Sequence, residues 1–354
     1  MSKYLRKFET EAEYSAATIY RPSVSLIADD MTVIFDPKHD YSKDYFTIVA
    51  LGDNLELVWS TDFTNLLSYS TDNGSTWSEP TPYFEVTLAN SGDTIMFKGS
   101  GMTSSGTKAI GKLQPIYFDV DYKVQGNIMS LLFGDNFVGQ TDLSGYVSAF
   151  SFFFQGLSKA MPNERLLSVE NLVLPATTLA ERCYANMFLN CTSLTNVPEL
   201  PATTLATECC SSMFKGCTSL TTAPELPATT LAGGCYYNMF NGCTSLTTAP
   251  VLSSTTLVSG CCQNMFSGCT SLTTAPILPA ETIKSQSYRG MFNGCTSLSA
   301  ITCLATDISE TRCTFQWVSG VAANGTFTQA ASMSSWTTGD SGIPSGWTVQ
   351  DYTE

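Results

Sequence analysis

Between residues 183 and 299 the apolar positions recur every 26 residues, a period that belongs to repeats rather than to one strand or helix. Phe188, Phe214, Phe240, Phe266 and Phe292 each follow a methionine, and each is followed three residues on by the first residue of Cys-Thr-Ser-Leu. Those cysteines are Cys191, Cys217, Cys243, Cys269 and Cys295, and a second cysteine column stands at Cys183, Cys209, Cys235 and Cys261. Ser287 takes its fifth place and Cys313 its sixth. No single repeat can bury Leu, Met, Phe and Cys alone, so neighbours must stack and close a common core. Within a repeat, Leu220, Ala223, Leu226 and Leu231 lie among small and hydroxyl residues, with Pro224 and Pro227 between them. That pattern predicts a short strand, a proline corner and a return segment. Residues 235–242 hold apolar residues at i, i+4 and i+5 and predict one helical turn, closed by Asn241 and Gly242.

Outside the array the pattern changes. Residues 2–18 read as an amphipathic helix with Leu5, Phe8 and Ala12 on one face. That face serves either as a docking and oligomerising surface or as a lid on the next domain. Residues 24–27 and 32–35 read as a hairpin. Residues 40–112 read as all-β, with strands at 46–51, 55–59, 84–88 and 94–97 in a small sandwich. Ser70 to Trp77 reads Ser-x-Asp-x-Gly-x-Thr-Trp, a hairpin in which Asp72 bonds the turn backbone, Gly74 supplies a positive φ and Trp77 packs beneath. Residues 101–106 read as a surface loop, and residues 116–120 and 128–132 as strands leading into the repeats. The expected division is an N-terminal helix and hairpin (1–38), a β-sandwich (39–113), the repeat array (114–320) and a C-terminal cap (321–354).

The unit Met-Phe-x-Gly-Cys-Thr-Ser-Leu-Thr-Thr-Ala-Pro resembles the BspA-type leucine-rich repeat of surface proteins of gut bacteria and of their phages. The resemblance covers about residues 133–318. It implies a mainly β fold with short helices: a leucine-rich-repeat solenoid of 26-residue coils used for adhesion or recognition. At its ends Phe152, Phe153 and Phe154 replace Met-Phe, 34 residues before the next unit, and Trp317 with Val318 replaces it at the far side. Both look like caps. The leader, Lys-Phe-Glu-Thr-Glu-Ala-Glu-Tyr and then Pro-Ser-Val-Ser-Leu-Ile, resembles the N-terminal module of structural proteins of gut-bacterial phages. It implies docking to other virion proteins, or self-association. The Asp72 hairpin resembles the Asp boxes of sialidase propellers, but one box and six scattered arginines do not make a sialidase site.

Composition narrows the function classes. The formal charge is −14, which disfavours nucleic acid and an anionic membrane surface as partners. No apolar run is long enough for a membrane span. Between residues 183 and 303, nine cysteines lie on the two repeat columns, where a small buried thiol explains them better than disulfides or a metal. The single histidine, His39, lies outside the array, so no nucleophile–base pair, metal or cofactor is expected and the protein is read as no enzyme. Residues 1–14 are too polar for a signal peptide. The expected setting is therefore a virion assembled in the host cytoplasm, with a bacterial cell-surface adhesin as the alternative.

Binding is expected at positions free to vary. Tyr184, Tyr236 and Tyr288 follow the second cysteine column, and Tyr237 and Arg289 come next. They form either a recognition patch or aromatic packing on a convex face. Thr221, Thr247 and Thr273 form a hydroxyl row on the strand face, as a second candidate for a host glycan or protein.

Overall fold

A computed structural model describes residues 5–7, 32–34, 41–60, 67–80, 83–99, 120–155 and 162–353. Strand β1 (Leu5–Lys7) pairs antiparallel with β2 (Thr32–Ile34). The expected helix over residues 2–18 is thus overturned where it can be seen: the β-branched run Thr32, Val33, Ile34 gives Leu5–Lys7 a ladder to join. Phe8, Ala12 and the hairpin's first arm lie outside the described residues, as do the loop at 101–106 and nearly all of the strand at 116–120.

Next come β3 (Phe46–Ala50), β4 (Leu55–Ser60), β5 (Leu67–Ser70), β6 (Tyr83–Leu88) and β7 (Thr94–Gly99). They do not close into a sandwich of their own. A five-stranded sheet in the order β5-β7-β3-β8-β9 takes two strands from the repeat side, β8 (Tyr122–Asn127) and β9 (Leu166–Val173). All pairs in it are antiparallel except β8 with β9. Its central strand β3 is buried along its whole length, as its unbroken Phe-Thr-Ile-Val-Ala run requires. The β4–β6 ribbon lies against the sheet through Phe84, whose ring meets Tyr69 at 4.8 Å and Phe97 at 6.5 Å. The strand expected at 128–132 is instead a helical turn, α1 (Ser130–Phe133), because Asn127 accepts the Met129 N–H and turns the chain.

The expected leucine-rich-repeat solenoid is not found. Among the described residues, regular structure is confined to small sheets and a few helical turns, and the repeats form no closed solenoid. Residues 174–299 carry turns and isolated bridges such as Thr222 to Thr248 and Leu226 to Leu252. Proline explains why these bridges never join into strands: Pro224 and Pro250 lie between them and offer no N–H to a ladder.

Nor does residue 235–242 make a helical turn. Every fourth residue there has a positive φ: Gly234 (62°), Asn238 (53°) and Gly242 (77°). The same spacing recurs at Gly260, Asn264 and Gly268, and at Gln286, Gly290 and Gly294. A left-handed residue ends a right-handed helix, so the chain becomes a ribbon of overlapping tight turns. Alternate N–H groups close those turns, as from Met187 to Tyr184 O at 3.2 Å. The N–H groups between them bond the next repeat: Tyr184, Asn186, Phe188 and Asn190 donate to the carbonyls of Cys209, Ser211, Met213 and Lys215 at 2.7–2.9 Å.

The repeats therefore stack like on like. Rings of Phe154, Phe188, Phe214, Phe240, Phe266 and Phe292 lie 5.3–5.8 Å apart and within 8° of parallel. Phe154 thus takes the first place in the stack despite its 34-residue offset. Beside the rings, each Cys191-column thiol donates to a phenylalanine carbonyl of the preceding repeat. Cys217 reaches Phe188 O and Cys243 reaches Phe214 O, both at 3.1 Å. A small, weakly polar donor fits there without an unpaired buried hydroxyl.

The far end is a parallel sheet of β10 (Ala300–Cys303), β11 (Thr326–Gln329) and β12 (Thr348–Asp351), in that order. Trp317 stacks on Trp336 at 5.4 Å and donates from Nε1 to Gly342 O at 2.7 Å. One buried core runs without a break from Phe46 to Trp347.

Candidate recognition surface

The turn ribbon decides which side chains can meet a partner. Residues next to the second cysteine column point inward: Tyr184, Tyr236 and Tyr288 are 1%, 3% and 1% exposed. They alternate with Cys210 and Cys262, which are equally buried, so large and small side chains interdigitate from repeat to repeat. These three tyrosines are core and cannot form the expected patch. The two cavities beside them, one between Tyr184 and Tyr236 and one between Tyr236 and Tyr288, hold about 10 Å³ each, too little for a ligand.

One position further on, the column is buried in its first two members, Ala185 and Ser211, and turns outward from Tyr237 onward. It reads Ala185, Ser211, Tyr237, Gln263, Arg289 and Phe315. Tyr237, Gln263 and Arg289 are half-buried and Phe315 is 40% exposed. Arg289 donates from Nη1 to Gln286 Oε1 at 3.3 Å, and its guanidinium lies 5.8 Å from the Phe315 ring centre. Arg312 approaches the same ring at 5.9 Å. Phe315 and Arg312 were missed in the sequence, although Phe315 stands one 26-residue step beyond Arg289.

Thr221, Thr247 and Thr273 are exposed, with Thr222, Thr248 and Thr274 beside them. The Thr247 hydroxyl donates to Thr221 O at 3.2 Å, so part of this row is engaged in joining repeats. Four residues after Thr247 and Thr273, Val251 and Ile277 are 76% and 51% exposed, at the column positions held by Glu199 and Glu225 in the earlier repeats.

The Asp72 hairpin is tied by its own side chains. Asp72 Oδ1 accepts from Thr76 N at 2.9 Å and Oδ2 from Thr76 Oγ1 at 2.6 Å, while Ser70 Oγ accepts from Gly74 N at 2.9 Å. Bonds from the Thr76 hydroxyl and N–H, with help from Ser70, hold the Asp72 carboxyl down at about 2. Gly74 has φ +79°, and Asn73 shares the left-handed region. Trp77 lies edge-on to Tyr45 at 4.8 Å, with Lys98 Nζ 4.3 Å over its ring. Lys98 in turn grips Asp135 at 2.8 Å, and Tyr45 donates to the same carboxylate at 2.6 Å. These bonds hold the Asp135 carboxyl below the usual range. The cluster joins the sheet to the turn after α1.

All thirteen cysteines are free and buried. Burial pushes Cys295 and Cys303 up to about 12, and contact with Cys209 together with burial raises Cys210 well above the ordinary thiol value. Among the described residues no group of three His, Cys, Asp or Glu side chains could hold a metal ion, and no helix is long and apolar enough to cross a membrane. Comparison with protein-family models, with curated proteins and with solved structures finds no match.

Proposed function

We propose that this chain is a non-enzymatic virion structural protein, of fibre or decoration type, that presents its repeat stack for recognition of a host surface. The observation that carries this reading is the state of the thiols. Thirteen reduced cysteines are packed into one core, with Cys209 Sγ only 3.8 Å from Cys210 Sγ. Such a core suits a chain that folds where thiols stay reduced, as virion proteins do in the host cytoplasm, and suits an exported adhesin less well. The division of labour in the repeats supports display: Phe, Met, Cys and Leu keep the stack, while Tyr237, Gln263, Arg289 and Phe315 differ from repeat to repeat at its surface. The leader's resemblance to phage structural modules supplies the anchor. Mass spectrometry of gradient-purified virions should find the chain at a fixed stoichiometry to the capsid or tail proteins. Its recovery only in an outer-membrane fraction of the bacterium would support the adhesin instead.

A further inference from the structure

Arginines in the described side chains fall into two groups. Arg165 meets Asp121 at 3.2 Å, and Arg182 meets Glu208 at 2.6 Å and Glu181 at 3.7 Å. Arg289 and Arg312 meet no carboxylate among the described residues. Instead both guanidiniums lie within 6 Å of one ring, Phe315, at 5.8 and 5.9 Å. The nearby acids are otherwise engaged: Glu310 faces Lys284 at 3.7 Å, and Asp307 accepts from Ser309 N at 2.9 Å. In a chain of formal charge −14, two arginines without a carboxylate partner among the described residues, both held against one aromatic ring, are an unusual use of positive charge.

We infer that Arg289, Phe315 and Arg312 form an anion-binding subsite for an acidic glycan, one bearing carboxylate or sulfate groups on its sugars. A guanidinium is a planar fork of donors that matches the paired oxygens of such groups, and a ring beneath it limits the motion lost on binding. Neutral amides accompany them: Gln286 accepts from Arg289, Gln263 stands one repeat before Arg289 in the column, and Gln316 follows Phe315 in the chain. Amides of this kind pair with sugar hydroxyls, and that favours a glycan over an acidic peptide. The protein's overall charge repels polyanions at a distance, so any retention has to come from a local site. This inference deepens the recognition reading, yet its test uses the isolated full-length chain and succeeds or fails wherever the chain resides.

The test is binding of the full chain to immobilised polygalacturonate and to heparin, with neutral dextran and polyglutamate as comparators, over a range of salt. Retention on at least one acidic glycan, absent on dextran and weakening with salt, is expected. The double variant Arg289→Ala/Arg312→Ala should lose at least tenfold in affinity, and Phe315→Leu several-fold, each with unchanged circular dichroism. Arg182→Ala removes the same charge elsewhere and should leave binding unchanged. Equal retention on dextran, no retention on either acidic glycan, or equal losses in Arg182→Ala would overturn the subsite. Binding to polyglutamate alone would overturn the glycan and point to an acidic protein.

Discussion

Replacing Phe240 by alanine should remove the keystone of the ring stack. The side chain is fully buried, and its ring faces Phe214 and Phe266 at 5.7 Å on either side, within 8° of parallel. Truncating a buried phenylalanine costs about 3–5 kcal/mol. Within that sum, the two ring contacts contribute about 0.5–1.5 kcal/mol each. Phe240→Leu keeps most of the volume and loses mainly the ring contacts, so it should cost about 1–3 kcal/mol. Against a total stability of about 5–15 kcal/mol, the alanine variant gives up a third or more in most cases. Val251→Ala, at a side chain 76% exposed, should stay within about 0.5 kcal/mol of the parent. Urea unfolding followed by circular dichroism gives these values directly. Because each repeat touches only its neighbours, the Phe240→Ala transition should also broaden or split when followed by the tryptophans at 317, 336 and 347. A loss under about 1 kcal/mol for Phe240→Ala, or an equal loss for Val251→Ala, would refute the stacking argument.

Other consequences follow from the same geometry. Gly290→Ala would drive its Cβ into Asn264 Oδ1 at a positive φ and should cost about 1–3 kcal/mol. Gly260→Ala, with the same hand of backbone but open space around it, should cost only the left-handed penalty of about 1 kcal/mol in the same urea series. Cys243→Ala removes the donor to Phe214 O and should cost about 1–3 kcal/mol by thermal melting. The Asp72 carboxyl is depressed from 3.8 to about 2 in the folded hairpin, so its contribution is complete above pH 4 and is lost as pH falls through 2. Trp77 fluorescence should report that loss between about pH 4 and 2, and Asp72→Asn should remove the dependence.

Much of this architecture was legible because burial repeats. The columns of Met, Phe, Leu and Cys named the core, and their register named the stacking partners. The strands around Ile48, Leu57, Val86 and Ile95 read correctly from their apolar runs. What the hydrophobic pattern could not carry was backbone hand. Positive φ at Asn238, Gly242, Asn264 and Gly268 turns the expected helical turn into a turn ribbon, and its signature of Asn or Gly at every fourth place is broken in other repeats by Arg182, Glu208, Ser212 and Gln286. Proline has a second effect beyond the expected corner: its missing N–H keeps Thr222 and Leu226 in separate bridges. The surface candidates suffered from a one-residue ambiguity. In this ribbon Tyr236 is inside and Tyr237 outside, and the alternation of Tyr184, Cys210, Tyr236, Cys262 and Tyr288 was the sign of packing.

Thiol reactivity tests the central claim most directly. With a disulfide-exchange dye at neutral pH and no reductant, the native protein should show no fast-reacting thiol, and the same sample in denaturant should show all thirteen. Several thiols reacting at once in the native state would mean that the repeats do not pack as described. Fewer than thirteen after unfolding would mean that the chain carries disulfides, and the argument for a reduced, cytoplasmic origin would go with it.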